Sequence, residues 1–135
     1  MSLMEWSDEL SVHIGRVDEQ HKQLIGLING LHDAMKEGKG RDVLGKTLSE
    51  LVDYTATHFK TEEDLFAAHH YPDHHPHKRE HDALTRQAAD LKDRFMKGNL
   101  FISNETVLFL KDWLYNHILG SDKKYGPFLH AKGVA

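Results

Sequence analysis

His58-Phe59-Lys60-Thr61-Glu62, followed by His77-Lys78-Arg79-Glu80-His81, decides the fold of this chain. Residues four apart share one face of an α-helix. His58 with Glu62, and His77 with His81, therefore project as pairs, each from one side of its own helix. Between them Tyr71-Pro72-Asp73-His74-His75-Pro76 carries turn chemistry. Two helices that reverse at a turn while presenting nitrogen and oxygen donors predict an antiparallel pair with polar groups inside.

Outward from this pair, two more breaks appear, Lys36-Glu37-Gly38-Lys39-Gly40-Arg41 and Lys97-Gly98-Asn99-Leu100. Apolar spacing predicts helices near 18–37, 42–70, 76–97 and 103–120, with an arm over 1–17 and a short C-terminal tail. Asp18, Asp42 and Ser103 suit N-caps, Pro76 a first helical position, and Gly38, Gly98 and Gly120 helix exits. No period-two run competes for a strand. The expected fold is all-α, an up-down-up-down antiparallel four-helix bundle occupying 1–135 as one domain.

Core stripes follow spacings of four and three. They run Val17, His21, Leu24, Ile28, Leu31, Met35; then Leu44, Leu48, Leu51, Thr55, His58, Glu62, Leu65, His69. The third is His77, His81, Leu84, Ala88, Leu91, Phe95, and the fourth Ser103, Val107, Leu110, Leu114, His117. Every stripe contains an imidazole, and a buried ionisable group must be paired, hydrogen-bonded or ligated to offset its desolvation.

Helical rise brings these groups together. His21 lies 16 residues before position 37 and His58 lies 16 after position 42, each roughly 24 Å of helical rise. His81 lies 16 residues before 97, and His117 lies 14 after 103, roughly 21 Å. All four helices thus carry donors to one level. His117 and Asp122 are five apart, about 140° on a continuous α-helix, so the helix is expected to unwind at Gly120 and let Asp122 swing back.

The inventory is His21, His58, Glu62, His77, His81, His117 and Asp122. Seven donors exceed the four of a single zinc site. Two six-coordinate metals fit better: with both carboxylates and a solvent-derived oxygen bridging, the five imidazoles leave one position open for a small ligand. Donors without sulfur suit iron or manganese, and donor type alone excludes zinc and copper less easily. The absence of cysteine excludes disulfides and thiolate metal sites. A net charge of −4, with acids and bases interspersed, gives no electrostatic reason for a nucleic-acid partner. No stretch approaches the apolar length of a membrane span, no secretory signal is evident, and a cytoplasmic location is expected.

The ordered set His21, His58-Phe59-Lys60-Thr61-Glu62, His77-Lys78-Arg79-Glu80-His81 and His117-Ile118-Leu119-Gly120-Ser121-Asp122 closely resembles the hemerythrin family, specifically its single-domain bacterial members. Val17-Asp18-Glu19-Gln20-His21-Lys22-Gln23-Leu24 and Trp113-Leu114-Tyr115-Asn116-His117-Ile118 agree as well. The resemblance implies two iron ions, one taking His77, His81 and His117, the other His21 and His58, bridged by Glu62, Asp122 and an oxo or hydroxo group. It implies reversible dioxygen binding at the second iron, for carriage, storage or delivery to an oxygen-consuming partner enzyme, by a protein that is not an enzyme and is expected to be a monomer. Alternatives within reach of the same site are oxygen or redox sensing through a partner, and peroxidase or nitric oxide or peroxide scavenging chemistry.

Reversibility requires that water and protons be kept from bound dioxygen. Leu24, Phe59, Trp113, Leu114 and Ile118 lie near the right level to form an apolar wall. The other seven histidines, His13, His32, His69, His70, His74, His75 and His130, receive no assigned chemistry, and Tyr125 is placed near the Asp122 turn without a role.

Overall fold

The computed structural model describes residues 3–99 and 101–135, so Leu100 of the third turn lies outside the described residues. Helix α1 spans Gly15–Lys36, α2 Arg41–His69, α3 His74–Met96, α4 Asn104–His117 and α5 Lys123–Ala131. A 3₁₀ turn, Asp8–Leu10, precedes them, and a π-helical segment, Ile118–Asp122, joins α4 to α5. The described residues contain no strand. Helix α1 packs on α2 and α4, and α2 packs on α3. Short turns between consecutive long helices give the antiparallel four-helix bundle.

Local chemistry explains the boundaries, several of which differ from expectation. Ser103 does cap α4, in a reciprocal capping box with Thr106. Asp18 does not cap α1, which begins earlier, at Gly15. Its carboxylate instead accepts the Val12 amide at 2.9 Å and the Ser11 hydroxyl at 2.6 Å, tying the arm to the helix. Gly40, not Asp42, precedes α2, and Asp42 sits in the first turn, where an anion faces the positive helix end. Pro76 is the third residue of α3 and not its first. Gly38 and Gly98 adopt φ of 69° and 79°, the left-handed exits of α1 and α3.

The largest departures are at the two termini. The N-terminal arm is docked: Met4 is buried, and its backbone N–H and C=O pair with the Asn29 side-chain amide at 2.8 and 2.9 Å. The C-terminal segment is a helix and not a short tail. Helix α5 packs Tyr125 and Leu129 with Val12, Ile14, Val17, Phe66 and Tyr71 in a second apolar cluster beneath the site end of the bundle. Gly126 permits this approach, because a Cβ there would stand 2.8 Å from the Val12 carbonyl oxygen. Gly126→Ala should therefore cost about 1–3 kcal/mol, measured by thermal or denaturant unfolding, since backbone rather than a side-chain tip must move.

The stripe on α2 also drifts. Leu48, Leu51, Thr55, His58 and Glu62 are buried as spaced, but beyond Glu62 the buried residue is Phe66, while Leu65 and His69 remain partly exposed. An α-helix of 3.6 residues per turn slips about 20° per heptad, so a strict heptad stripe loses its face over so long a helix.

Candidate metal centre

His21 lies near the start of α1, His58 and Glu62 toward the end of α2, His77 and His81 in the first turns of α3, and His117 ends α4. Asp122 closes the π-helical segment. Helix starts and ends meet at one level, as an up-down order requires. All seven side chains are buried, none more than 5% exposed. The helix does not unwind at Gly120. It widens: the Lys123 N–H bonds back to the Ile118 carbonyl, five residues earlier. An i→i+5 turn brings residues five apart to one side, and His117 Nε2 stands 3.0 Å from Asp122 Oδ1.

The donors form two overlapping groups, within each of which the ligand atoms lie within 4.8 Å of one another. One comprises Glu62, His77, His81, His117 and Asp122; the other His21, His58, Glu62 and Asp122. Asp122 divides its oxygens between them, with Oδ1 3.0 Å from the Nε2 atoms of His77 and His117, and Oδ2 3.0 Å from His21 Nε2. Glu62 Oε1 is 3.3 Å from His58 Nε2 and 3.1 Å from His81 Nε2. Its Oε2 accepts a short hydrogen bond from the Tyr125 hydroxyl.

Hydrogen bonding on the far side of the rings shows that these donors suit a cation. His81 Nδ1 donates to Glu63 Oε2 at 2.9 Å, His117 Nδ1 to Glu80 Oε1 at 2.6 Å, and His58 Nδ1 to Gln20 Oε1 at 2.8 Å. Carboxylate and amide oxygens only accept here, so each Nδ1 carries the proton and a neutral ring offers its Nε2 lone pair inward. The Nε2 atoms of His81 and His117 then face one another at 3.2 Å. Several inward atoms have no aligned hydrogen bond: Nε2 of His21, His58 and His77, Oε1 of Glu62, and both oxygens of Asp122. Buried polar atoms are rarely left unpaired, and a cluster of convergent lone pairs is satisfied by cations.

Without metal, protons take that place. Burial opposes a charge on His117, but Asp122, Glu80 and Glu62 outweigh it and raise its pKa to about 10. Glu80, hydrogen-bonded to His117 and Ser121, is held down at about 2. Burial and mutual repulsion oppose ionisation of Glu62 and Asp122, yet the surrounding imidazoles keep both carboxyls below their usual range. Tyr125 is pushed well up by burial and by the charges of Glu62 and Asp122, so its hydroxyl remains a donor. The His117 pKa is raised on folding, so its ion pairs support the metal-free fold fully below pH 6.5 and fade as pH rises through about 10. Metal must expel that proton. Loading at pH 8 should release at least one proton per chain, read with an indicator dye in weak buffer, and affinity should rise with pH up to about 10.

Around the centre, Phe59 stacks on the His81 ring, with centroids 3.9 Å apart and planes at 5°. Phe59, Trp113 and Leu114 line an apolar cleft with Leu84 and His117 that is too narrow to admit a water molecule. Leu24 and Ile118 are fully buried in the adjoining core and do not line that cleft. The cleft thus borders a histidine of the three-histidine group. Leu84 was not anticipated as part of this wall, although it lies on the third stripe. Gln20, Glu63 and Glu80 were also missed; each is the immediate neighbour of a donor, a pattern visible in Gln20-His21, Glu62-Glu63 and Glu80-His81. The corner histidines His69, His70, His74 and His75 form no metal-type group among the described residues.

Comparison with known proteins agrees with this geometry. The hemerythrin HHE cation binding domain matches residues 12–129. A bacteriohemerythrin of Methylococcus capsulatus is 42% identical over 132 residues, covering 97% of this chain and all of that protein. A bacteriohemerythrin of Stenotrophomonas maltophilia is 38% identical over 131 residues, covering 97% of this chain and 84% of that protein. A crystal structure of wild-type hemerythrin superposes with a TM-score of 0.90 at 41% identity, covering 95% of this chain and 98% of the other. With nearly the full length shared in sequence and in fold, the chain belongs to the hemerythrin family.

Proposed function

We propose that this chain binds dioxygen reversibly at a di-iron pair and serves in oxygen carriage, storage or delivery to an oxygen-consuming enzyme. His77, His81 and His117 would hold one iron and His21 and His58 the other, with Glu62 and Asp122 available to both. The observation that carries this reading is the pair of overlapping donor groups with inward lone pairs left unsatisfied. The chemistry such a pair would supply is a reversible two-electron exchange with dioxygen.

The protein's own part is to orient, to neutralise and to exclude. Glu62 and Asp122 offset cationic charge at the centre of the bundle. Tyr125 fixes the rotamer of Glu62 from α5. Phe59, Leu84, Trp113 and Leu114 keep water away from one side of the site. No described helix is long and apolar enough to cross a membrane; a cytoplasmic monomer is part of the proposal.

The test is to purify the protein, count iron per chain, reduce it without air, and follow the charge-transfer spectrum while dioxygen is admitted and then removed. Two irons and a band that appears and disappears with the gas support reversible binding. Irreversible oxidation on the first exposure points to an enzyme or sensor instead, and colourless zinc protein overturns the di-iron reading.

A further inference from the structure

Each of the first three helices reaches across to the next helix's histidine with a residue adjacent to its own donor. Gln20, before His21 on α1, accepts from His58 on α2; Glu63, after Glu62 on α2, accepts from His81 on α3; Glu80, before His81 on α3, accepts from His117 on α4. The cycle stops there. His21 Nδ1 is fully buried and has no partner.

Sorted by donor group, these supports differ in charge. Two of the three histidines of one group, His81 and His117, are backed by carboxylates. In the other group His58 is backed by a neutral amide and His21 by nothing. The Gln20 amide cannot simply be reversed, because its Nε2 donates to the Thr61 hydroxyl at 3.2 Å and so turns its oxygen toward His58. Glu63 and Glu80 have side chains 22% and 40% exposed, so neither carboxylate is fully desolvated. An anion accepting from Nδ1–H draws that proton toward itself and makes Nε2 a stronger electron donor; a neutral acceptor does so less.

We propose that Glu63 and Glu80 are positioning residues that make the three-histidine position the more electron-donating of the two, so that it takes the first metal and holds it more tightly than the His21 and His58 position does. This rests on the two-metal reading above. The three-histidine group also has one more imidazole, so the test must isolate charge from ligand number.

Glu63→Gln and Glu80→Gln do this, since each keeps an oxygen acceptor for its histidine while removing the charge. The metal-free, full-length protein would be titrated with cobalt(II), following the d–d bands and the heat of binding. The parent is expected to take two equivalents in two separable steps. Each Glu→Gln change should weaken the tighter step about 10–100-fold while leaving the weaker within about threefold, and Gln20→Glu should tighten the weaker step. Glu80 also accepts the Ser121 hydroxyl at 2.6 Å across the π-helical segment. Ser121→Ala removes that contact, keeps the charge, and should leave both steps within about threefold, an order below the effect expected of charge removal. In iron-loaded protein the Glu→Gln variants should shift the midpoint potential positive and Gln20→Glu should shift it negative, which loss of rigidity alone would not do in opposite senses.

One cobalt per chain or none in the parent overturns both the two-metal reading and this inference. Two cobalt ions with equal affinities, equal weakening of both steps in the Glu→Gln variants, or a loss in Ser121→Ala as large as in Glu80→Gln overturns this inference alone.

Discussion

Glu62→Ala is expected to purify with less than one metal ion per chain, against the two proposed for the parent, and to lose most of the stabilisation that metal confers. Glu62 belongs to both donor groups. Its Oε1 stands near His58 on one side and His81 on the other, so no single imidazole loss is equivalent. Bound metal stabilises only the folded form, by about 4 kcal/mol at a free concentration 1,000 times Kd. The substitution forfeits that contribution and strands the buried Tyr125 hydroxyl, a further cost of about 1–3 kcal/mol. Elemental analysis and melting with and without chelator separate the two effects. The gap between parent and variant should shrink markedly once chelator strips the parent. A variant that keeps both metals would show that Glu62 is not shared.

The donors were legible because metal ligation constrains spacing strongly. Two i,i+4 pairs and a common height follow from helix geometry alone, and a buried histidine on each of four stripes has no ordinary packing explanation. Ser103 was legible for a similar reason, since a cap depends on its immediate neighbours. What lay hidden depends on contacts distant in sequence. The widening at Ile118–Asp122 has no signature apart from the five-residue interval itself, and Gly120, which suggested an exit, would meet nothing within 4 Å if it carried a Cβ. The expected short tail is instead helix α5, and Gly126 and Pro127 both lie within it. The glycine marks where α5 touches Val12. Nothing in the sequence separates Gln20, Glu63 and Glu80 from the polar neighbours of core positions that face solvent. Here the roughly 100° between successive helical residues turns each toward the neighbouring helix.

The drift of the α2 stripe leads to the other large effect, at Phe66. A heptad frame puts Leu65 inside, yet Phe66 is the fully buried residue. Its ring meets His77 at 4.8 Å, Tyr71 at 5.0 Å and Tyr125 at 5.0 Å between centroids. It therefore joins the cluster under α5 to the floor of the metal centre, touching a donor on one side and the hydrogen-bond partner of Glu62 on the other. Phe66→Ala should cost about 3–5 kcal/mol, the usual range for emptying a buried aromatic position, and lower the melting temperature by roughly 10–20 °C. None of the seven donors is removed, so at low temperature the variant should still take up metal, but lose it faster than the parent under chelator challenge. Phe66→Leu, which refills most of the volume, should recover more than half of the lost stability. If Leu65→Ala proved the more damaging substitution, the heptad frame would hold along the whole of α2 and the assignment of Phe66 as the link between α5 and the centre would be wrong.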